Sequence, residues 1–205
     1  MNGRWGWSRP RAEQAQLTVR PSLQLSFDDV ELVTLAPGHV QELAELRVRN
    51  AEDLRVSSPA HGAGIQFTQA DVERSLRSRI EQGSVTQHPF VIFCNGSMAG
   101  DLNLTEILRG PQESANLGLL VDRDQRRQGI ATRAVTVACR LAFDQLALHR
   151  LHAGVQPGNR ASLKALRSNG FEEIGLARQY LFINGSWRDH LLLQKIAPAD
   201  WVVPA

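Results

Sequence analysis

Arg126-Arg127-Gln128-Gly129-Ile130-Ala131 is where residue types and spacing first suggest chemistry. It follows an apolar run, Leu117-Gly118-Leu119-Leu120-Val121, and opens a long amphipathic segment. That order reads strand, short turn, helix start. A helix start presents unpaired backbone N–H groups and the positive end of its dipole, and anions, phosphates above all, bind there. Gly129 lets a ligand approach the backbone, and Ala131 keeps the first turn narrow. The two arginines add charge that suits a phosphate. A plain strand–turn–helix with a glycine in its turn has the same pattern. Two better-known cradles are absent: no Lys follows a glycine as a P-loop requires, and there is no GxGxxG.

The elements that must position this turn follow from periodicity. Val30 to Leu35 alternates as a first strand, ended by Pro37-Gly38. Val40, Leu43, Ala44, Leu46, Arg47 and Val48 recur at helical spacing. Residues 54–67 mix Ser, Pro, Gly and His and read as a loop. Thr68 reads as an N-cap with Asp71 in the reciprocal place, Val72, Leu76 and Ile80 form the helix face, and Gly83 stops it. Pro89 to Cys94 is a buried strand, and Asn95-Gly96 is a two-residue hairpin turn. The return strand runs from about Met98 to Leu108. After the strand at 117–121, residues 132–148 carry one apolar helix face. Arg150 to Val155 is a strand, and Ala161 to Ser168 a short helix stopped at Asn169-Gly170. Phe171–Ile174 and Trp187–Ile196 supply two strands, linked through Tyr180 and the Asn184-Gly185 turn. The order β, α, α, β, β, β, α, β, α, β, β makes an α/β fold with helices on both sheet faces.

Composition sets limits. The chain has 205 residues, large enough for one domain with a real core, and a net charge of +2, which gives no electrostatic signature of nucleic-acid or membrane binding. Cys94 and Cys139 sit in apolar runs and read as buried free thiols. No His/Cys cluster has metal spacing. No apolar run approaches ~18 residues, and the start lacks a signal-peptide apolar region, so a cytoplasmic protein is expected. Residues 1–22 read as an extension, 23–197 as the domain and 198–205 as a tail.

Several segments together resemble the GNAT acyltransferase superfamily. The turn fits its acetyl-CoA signature, [Arg/Gln]-x-x-Gly-x-[Gly/Ala]. Pro157-x-Asn159-x-x-Ser162 followed by Asn169-Gly170-Phe171 resembles its second motif. Tyr180 to His190, with the following Asp200-Trp201, resembles the C-terminal part of the RimJ/RimL branch, most closely the RimJ type, which are ribosomal-protein-alanine N-acetyltransferases. The likeness covers roughly residues 29–196. It implies a GNAT fold, with a mixed, mostly antiparallel sheet of six to seven strands.

The resemblance also implies roles. Acetyl-CoA would be the co-substrate, without a metal. Its pyrophosphate would lie on backbone amides of Arg126, Arg127, Gln128, Gly129, Ile130, Ala131 and Thr132. Its pantetheine would run beside Leu119, Leu120 and Val121 like an added strand, with an N–H of Leu119 or Leu120 polarising the thioester. Asn159 would hydrogen-bond the pantetheine, its plain alternative being an N-cap. Many members carry a thiolate-protonating Tyr where Leu166 stands; Ser162 is the substitute, with Tyr180 behind it. Many also carry a Glu at the place of Asn116. Glu106 is the first choice of base, with Asp101 and Glu113 as fallbacks, each readable as a solvated surface carboxylate. Arg178, Trp187, Arg188 and Asp189 would shape the acceptor groove, although Trp187 also reads as a core aromatic and Arg188-Asp189 as an ion pair. His149 and His190 read as inert. The implied reaction is acetyl transfer to a protein N-terminal α-amine (Ala or Ser start), the partner being a small-subunit ribosomal protein, from a monomer or homodimer. A small amine such as a polyamine or an antibiotic, or a non-catalytic acyl-CoA sensor, are the alternatives.

Overall fold

The computed structural model describes residues 23–57, 68–82 and 85–199. Eight strands form one sheet: β1 (Gln24–Phe27), β2 (Val30–Thr34), β3 (His88–Cys94), β4 (Ser97–Leu108), β5 (Ser114–Val121), β6 (Arg150–Val155), β7 (Glu172–Ile183) and β8 (Ser186–Ile196). Their order across the sheet is β1-β2-β3-β4-β5-β6-β8-β7. Neighbours are antiparallel except β5 and β6, which are parallel. A parallel pair needs a crossover. Here α4 (Ile130–Arg140) and a π-helical turn (Leu141–Gln145) supply it.

Each face carries its own core. On one, Ala134, Val135, Val137 and Ala138 of α4, with Leu163 and Leu166 of α5 (Arg160–Arg167), pack on Leu102, Leu104, Leu117, Leu151 and Leu193. On the other, α1 (Val40–Arg49) and α3 (Gln69–Gln82) bury Leu43, Leu46, Val72 and Leu76 against Val91 and Met98. Thr68 caps α3 as expected, its hydroxyl accepting the Asp71 N–H at 3.2 Å. Asn95-Gly96 joins β3 to β4 and Asn184-Gly185 joins β7 to β8, all four residues at positive φ, the backbone of a hairpin turn that matches strand twist.

Four boundaries differ from the sequence reading. The sheet has eight strands rather than six or seven, because β1 pairs along β2 and Arg140 of α4 covers the Phe27 ring at 4.6 Å. Residues 54–57, expected in a loop, belong to a helix, α2 (Ala51–Ser57), which buries Leu54. The crossover helix starts at Ile130, two residues early, and its last turn loosens into the π turn. The stretch around Tyr180 is not a linker: β7 runs unbroken to Ile183 along β8. Residues 1–22 and 58–67, Gly83 and Asp200-Trp201 lie outside the described residues.

Candidate active site

The sheet is parted in its middle. β5 pairs with β6 only from Ser114↔Arg150 to Asn116↔His152, and no pairing joins Leu117–Val121 to Ala153–Val155. Leu119, Leu120 and Val121 are half-buried on the open edge, and Gly118 is exposed. A strand missing its neighbour offers a row of N–H and C=O groups to an extended ligand. From Asn116 to Val121 that edge runs about 17 Å at ~3.3 Å per residue.

The far end of the edge meets the start of α4. Gly129 is its N-cap at φ 76°, without a side-chain cap, and Arg127 is also left-handed at φ 65°. The amides of Ile130, Ala131 and Thr132 thus open the helix while the Ile130 side chain is buried beneath. Arg133 Nη1 donates to the Gln128 carbonyl at 3.0 Å and Arg133 Nε pairs with Asp29 at 2.7 Å, fixing the turn from below. The arginines divide. Arg126 is held by Asp53 of α2 at 2.7 Å, and Arg127 and Gln128 are exposed. Behind them Asp122, 2 % exposed, accepts from Asn50 Nδ2 at 2.9 Å and from Arg49, tying the end of α1 to the exit of β5. Burial pushes the Asp122 carboxyl up, but these hydrogen bonds and the Asp124 N–H more than offset it, and it titrates below the ordinary carboxylate range.

Asn159 caps α5, its Oδ1 accepting the Ser162 N–H at 3.1 Å. Ser162 is half-buried on the first turn, and Leu166 is part of the core. α5 is docked on α4 through Asn169, which donates to the Thr132 carbonyl at 3.0 Å.

The carboxylates sort differently from the sequence reading. Glu106 is exposed, at φ 50° within the irregular end of the β4–β5 ladder. Asp101 is not solvated: it is 4 % exposed and pairs with Arg47 of α1 at 2.8 Å. Glu113 is engaged by Arg109 at 2.9 Å and by the Gly110 N–H. On the β7–β8 hairpin Trp187 is 59 % exposed, edge-on to Phe182, so it is no core aromatic. Asp189 accepts the Gln179 N–H at 2.8 Å, in place of the expected pair with Arg188. Burial pushes the Cys139 thiol up to about 11, and Cys94 is also raised, chiefly by burial, so neither offers a thiolate.

A row of polar residues crosses the sheet where β5 and β6 part. Register places Thr105, Asn116, His152 and Gln194 side by side on β4, β5, β6 and β8. Leu151, Ala153 and Val155 are buried on the α4 side, so His152 and Gly154 face the opposite side, that of α1 and α3. Asn116 Nδ2 donates to Thr105 Oγ1 at 3.3 Å. A Cβ on Gly154 would lie 3.6 Å from Tyr180 and 3.8 Å from His190, which puts those two on the same face. Sequence reasoning passed over His152. The alternation of β6 was the signal, since residues between its buried positions face the α1 and α3 side of the sheet.

Comparison with known proteins bears on the fold and the family. The family model described as acetyltransferase (GNAT) domain matches residues 29–172. The [ribosomal protein uS5]-alanine N-acetyltransferase of Escherichia coli (strain K12) is 34% identical over 102 residues, 50% of this chain and 52% of that protein. The spermidine N(1)-acetyltransferase of the same organism is 30% identical over 104 residues, 51% of this chain and 55% of that protein. The chain thus spans about half the length of the curated relatives it matches. Among solved structures, Mycobacterium smegmatis RimJ in complex with CoA-disulfide superposes with a TM-score of 0.74 at 28% identity, covering 86% of this chain and 87% of that one.

Proposed function

This chain belongs to the GNAT acetyltransferase family, and on that premise we propose that it moves acetyl from acetyl-CoA onto the α-amino group of a protein N-terminus in the bacterial cytoplasm, most concretely a ribosomal protein beginning with Ala or Ser. The parted β5–β6 pair, ending at the glycine-capped start of α4, is the observation that carries the reading. It supports a ligand with an anionic end and a peptide-like arm. Bound acetyl-CoA supplies an activated acyl group as a thioester. The chain's residues grip it: amides of Arg126–Thr132 for the pyrophosphate, the edge of Leu119–Val121 for the arm, and Asn159 Nδ2, which the cap leaves over, for an arm carbonyl. Arg127 is the arginine turned outward for phosphate, and Arg126 is the one that holds α2 in place. An N–H of Leu119 or Leu120 polarises the carbonyl. Ser162 donates the proton that the leaving thiolate takes up, and Glu106 belongs to the side that receives a proton from the amine.

An α-amine titrates near ~7.7–8.0 and a Lys side chain near ~10.4, so at neutral pH the former is far more often free to attack. Both cysteines are held as thiols, which favours direct attack over an acyl-cysteine route. The likeness to the uS5-alanine enzyme, and to RimJ over most of both chains, favours a ribosomal N-terminus.

The test is thiol release from acetyl-CoA against peptides starting with Ala, Ser and Met, an internal-Lys peptide, and spermidine. Turnover confined to Ala or Ser starts is expected. Turnover on spermidine alone would replace the peptide with a polyamine, the substrate class of the second relative. Binding of acetyl-CoA without turnover on any amine would refute the transferase reading. Ser162→Ala and Glu106→Gln should each slow turnover; two variants as fast as the parent would remove both assignments.

A further inference from the structure

We infer that His152 is the catalytic group that takes the proton from the incoming amine, because register sets it on the α1 and α3 face of the sheet at the point where β5 and β6 part. This rests on the transferase reading above.

The parting point is where an arm laid along β5 from the start of α4 runs out of open edge. Past it the two strands are hydrogen-bonded and leave no room between them. The reactive end of such a ligand therefore lies beside Asn116 and His152. Among the residues of this row, Thr105 and Asn116 bond each other and Arg150 bonds Gln194. His152 stands outside both contacts. Two neighbours on the same face are weaker candidates. His190 is 2 % exposed, and its Nδ1–H is given to the Arg188 carbonyl at 3.1 Å. Tyr180 packs against that ring, centroids 5.8 Å apart, and a phenol hydroxyl gives a proton more readily than it takes one.

The charged groups around His152 set its proton affinity. Burial lowers its pKa below the ordinary imidazole value, the Arg150 guanidinium on the same strand lowers it further, and the Glu106 carboxylate at the end of β4 pulls it partway back. From β5 and β8 the facing residues, Asn116 and Gln194, are neutral, and Glu172 on β7 stands one strand beyond Gln194. The imidazole is therefore a free base at pH 7.

The proton count closes. The acceptor arrives as R–NH3+ and gives one proton to the His152 imidazole. The amine nitrogen forms the C–N bond to the acyl carbon, the C–S bond breaks, and the nitrogen loses a second proton as the amide forms. That second proton passes to Ser162 as the Ser162 hydroxyl gives its own to the CoA sulfur, and His152 releases the first to solvent.

The experiment has two readouts on the wild type, His152→Gln and Glu106→Gln. One is the pH profile of kcat/KM between pH 5 and 9 with the peptide that the panel identifies. The other is the NMR titration of the His152 ring protons without substrate, with acetyl-CoA binding measured alongside. His152→Gln should keep acetyl-CoA affinity, lose about 10²-fold in kcat, and lose the acid limb that belongs to the imidazole. Glu106→Gln, by removing the carboxylate that raises the imidazole pKa, should move both that limb and the NMR titration to lower pH. A His152→Gln protein with wild-type kcat and limb would overturn the role of His152 while leaving the transferase standing. So would an NMR pKa unrelated to the limb. A wild type that turns over no amine would overturn the transferase and this role together.

Discussion

Arg47 and Asp101 show how strongly one residue's meaning depends on what covers it. Arg47 recurs at helical spacing among apolar residues of α1, and its side chain, 9 % exposed, meets an Asp101 side chain that is 6 % exposed. Removing one partner of a buried pair strands the other charge, typically at about 3–5 kcal/mol. Arg47→Ala should lower the unfolding free energy by that order, read from urea midpoints; a loss near zero would mean that water reaches Asp101. Asp101 was a candidate base in sequence and is an anchor in structure, because helix packing over β4 cannot be read from the strand's own residues. Asn159 was legible as an N-cap: a polar residue after Pro157-Gly158 has to start the next helix, and its Oδ1 does so. Trp187 misled, since its apolar bulk gives no hint that the β7–β8 hairpin leaves it in solvent.

At the scale of elements, β4 and β5 leave no room for a side chain at Gly100. A Cβ there would sit 2.0 Å from the Leu120 carbonyl oxygen. Gly100→Ala must push β5 away, at a cost of about 3 kcal/mol for overpacking of this kind, and it displaces the very edge proposed to hold acetyl-CoA. Both stability and CoA affinity should fall; isothermal titration and a melt on the same preparation check this, and a variant with native affinity would show that β5 yields locally. The α1–β5 tie through Asp122 has a pH signature. Its carboxyl is depressed in the folded protein, so its contribution is complete above the unfolded value of ~3.9 and disappears as pH falls through the folded one. Asp122→Asn should destabilise the protein at pH 7, and the gap from wild type should shrink by pH 3 in urea titrations; a gap independent of pH would place the stabilisation in the hydrogen bonds alone. The five-residue β2 and the six-residue β6 were legible because each alternates. The four-residue β1 and the seven-residue α2, which exist by tertiary contact, were missed, and β7 was read only at its start.

For the molecule as a whole, ligand linkage is the readable consequence. A ligand at 100 times its Kd adds ~2.7 kcal/mol to stability. A chain of 205 residues gains roughly 2–4 °C per kcal/mol, so saturating CoA should raise the melting temperature by roughly 5–10 °C. Gly129→Val, which forces a β-branched residue into φ 76° and against Arg133 Nη1, should melt lower and lose most of that increment. A wild-type melting temperature indifferent to CoA would contradict the cradle.

Among the described residues, strand pairing joins the two leaves of this sheet at three registered pairs, Ser114–Asn116 with Arg150–His152, and the Glu113 carbonyl accepts the His149 and Arg150 N–H groups at the end of that seam. The sheet is like a book with a short spine, its pages parting toward the start of α4. On the proposed binding mode, a peptide-like molecule laid in the gap would supply the missing rungs, so the cargo would double as a splint. The loaded form would then be the stiffer one, and departure of the spent carrier would free the same seam that the next carrier must enter.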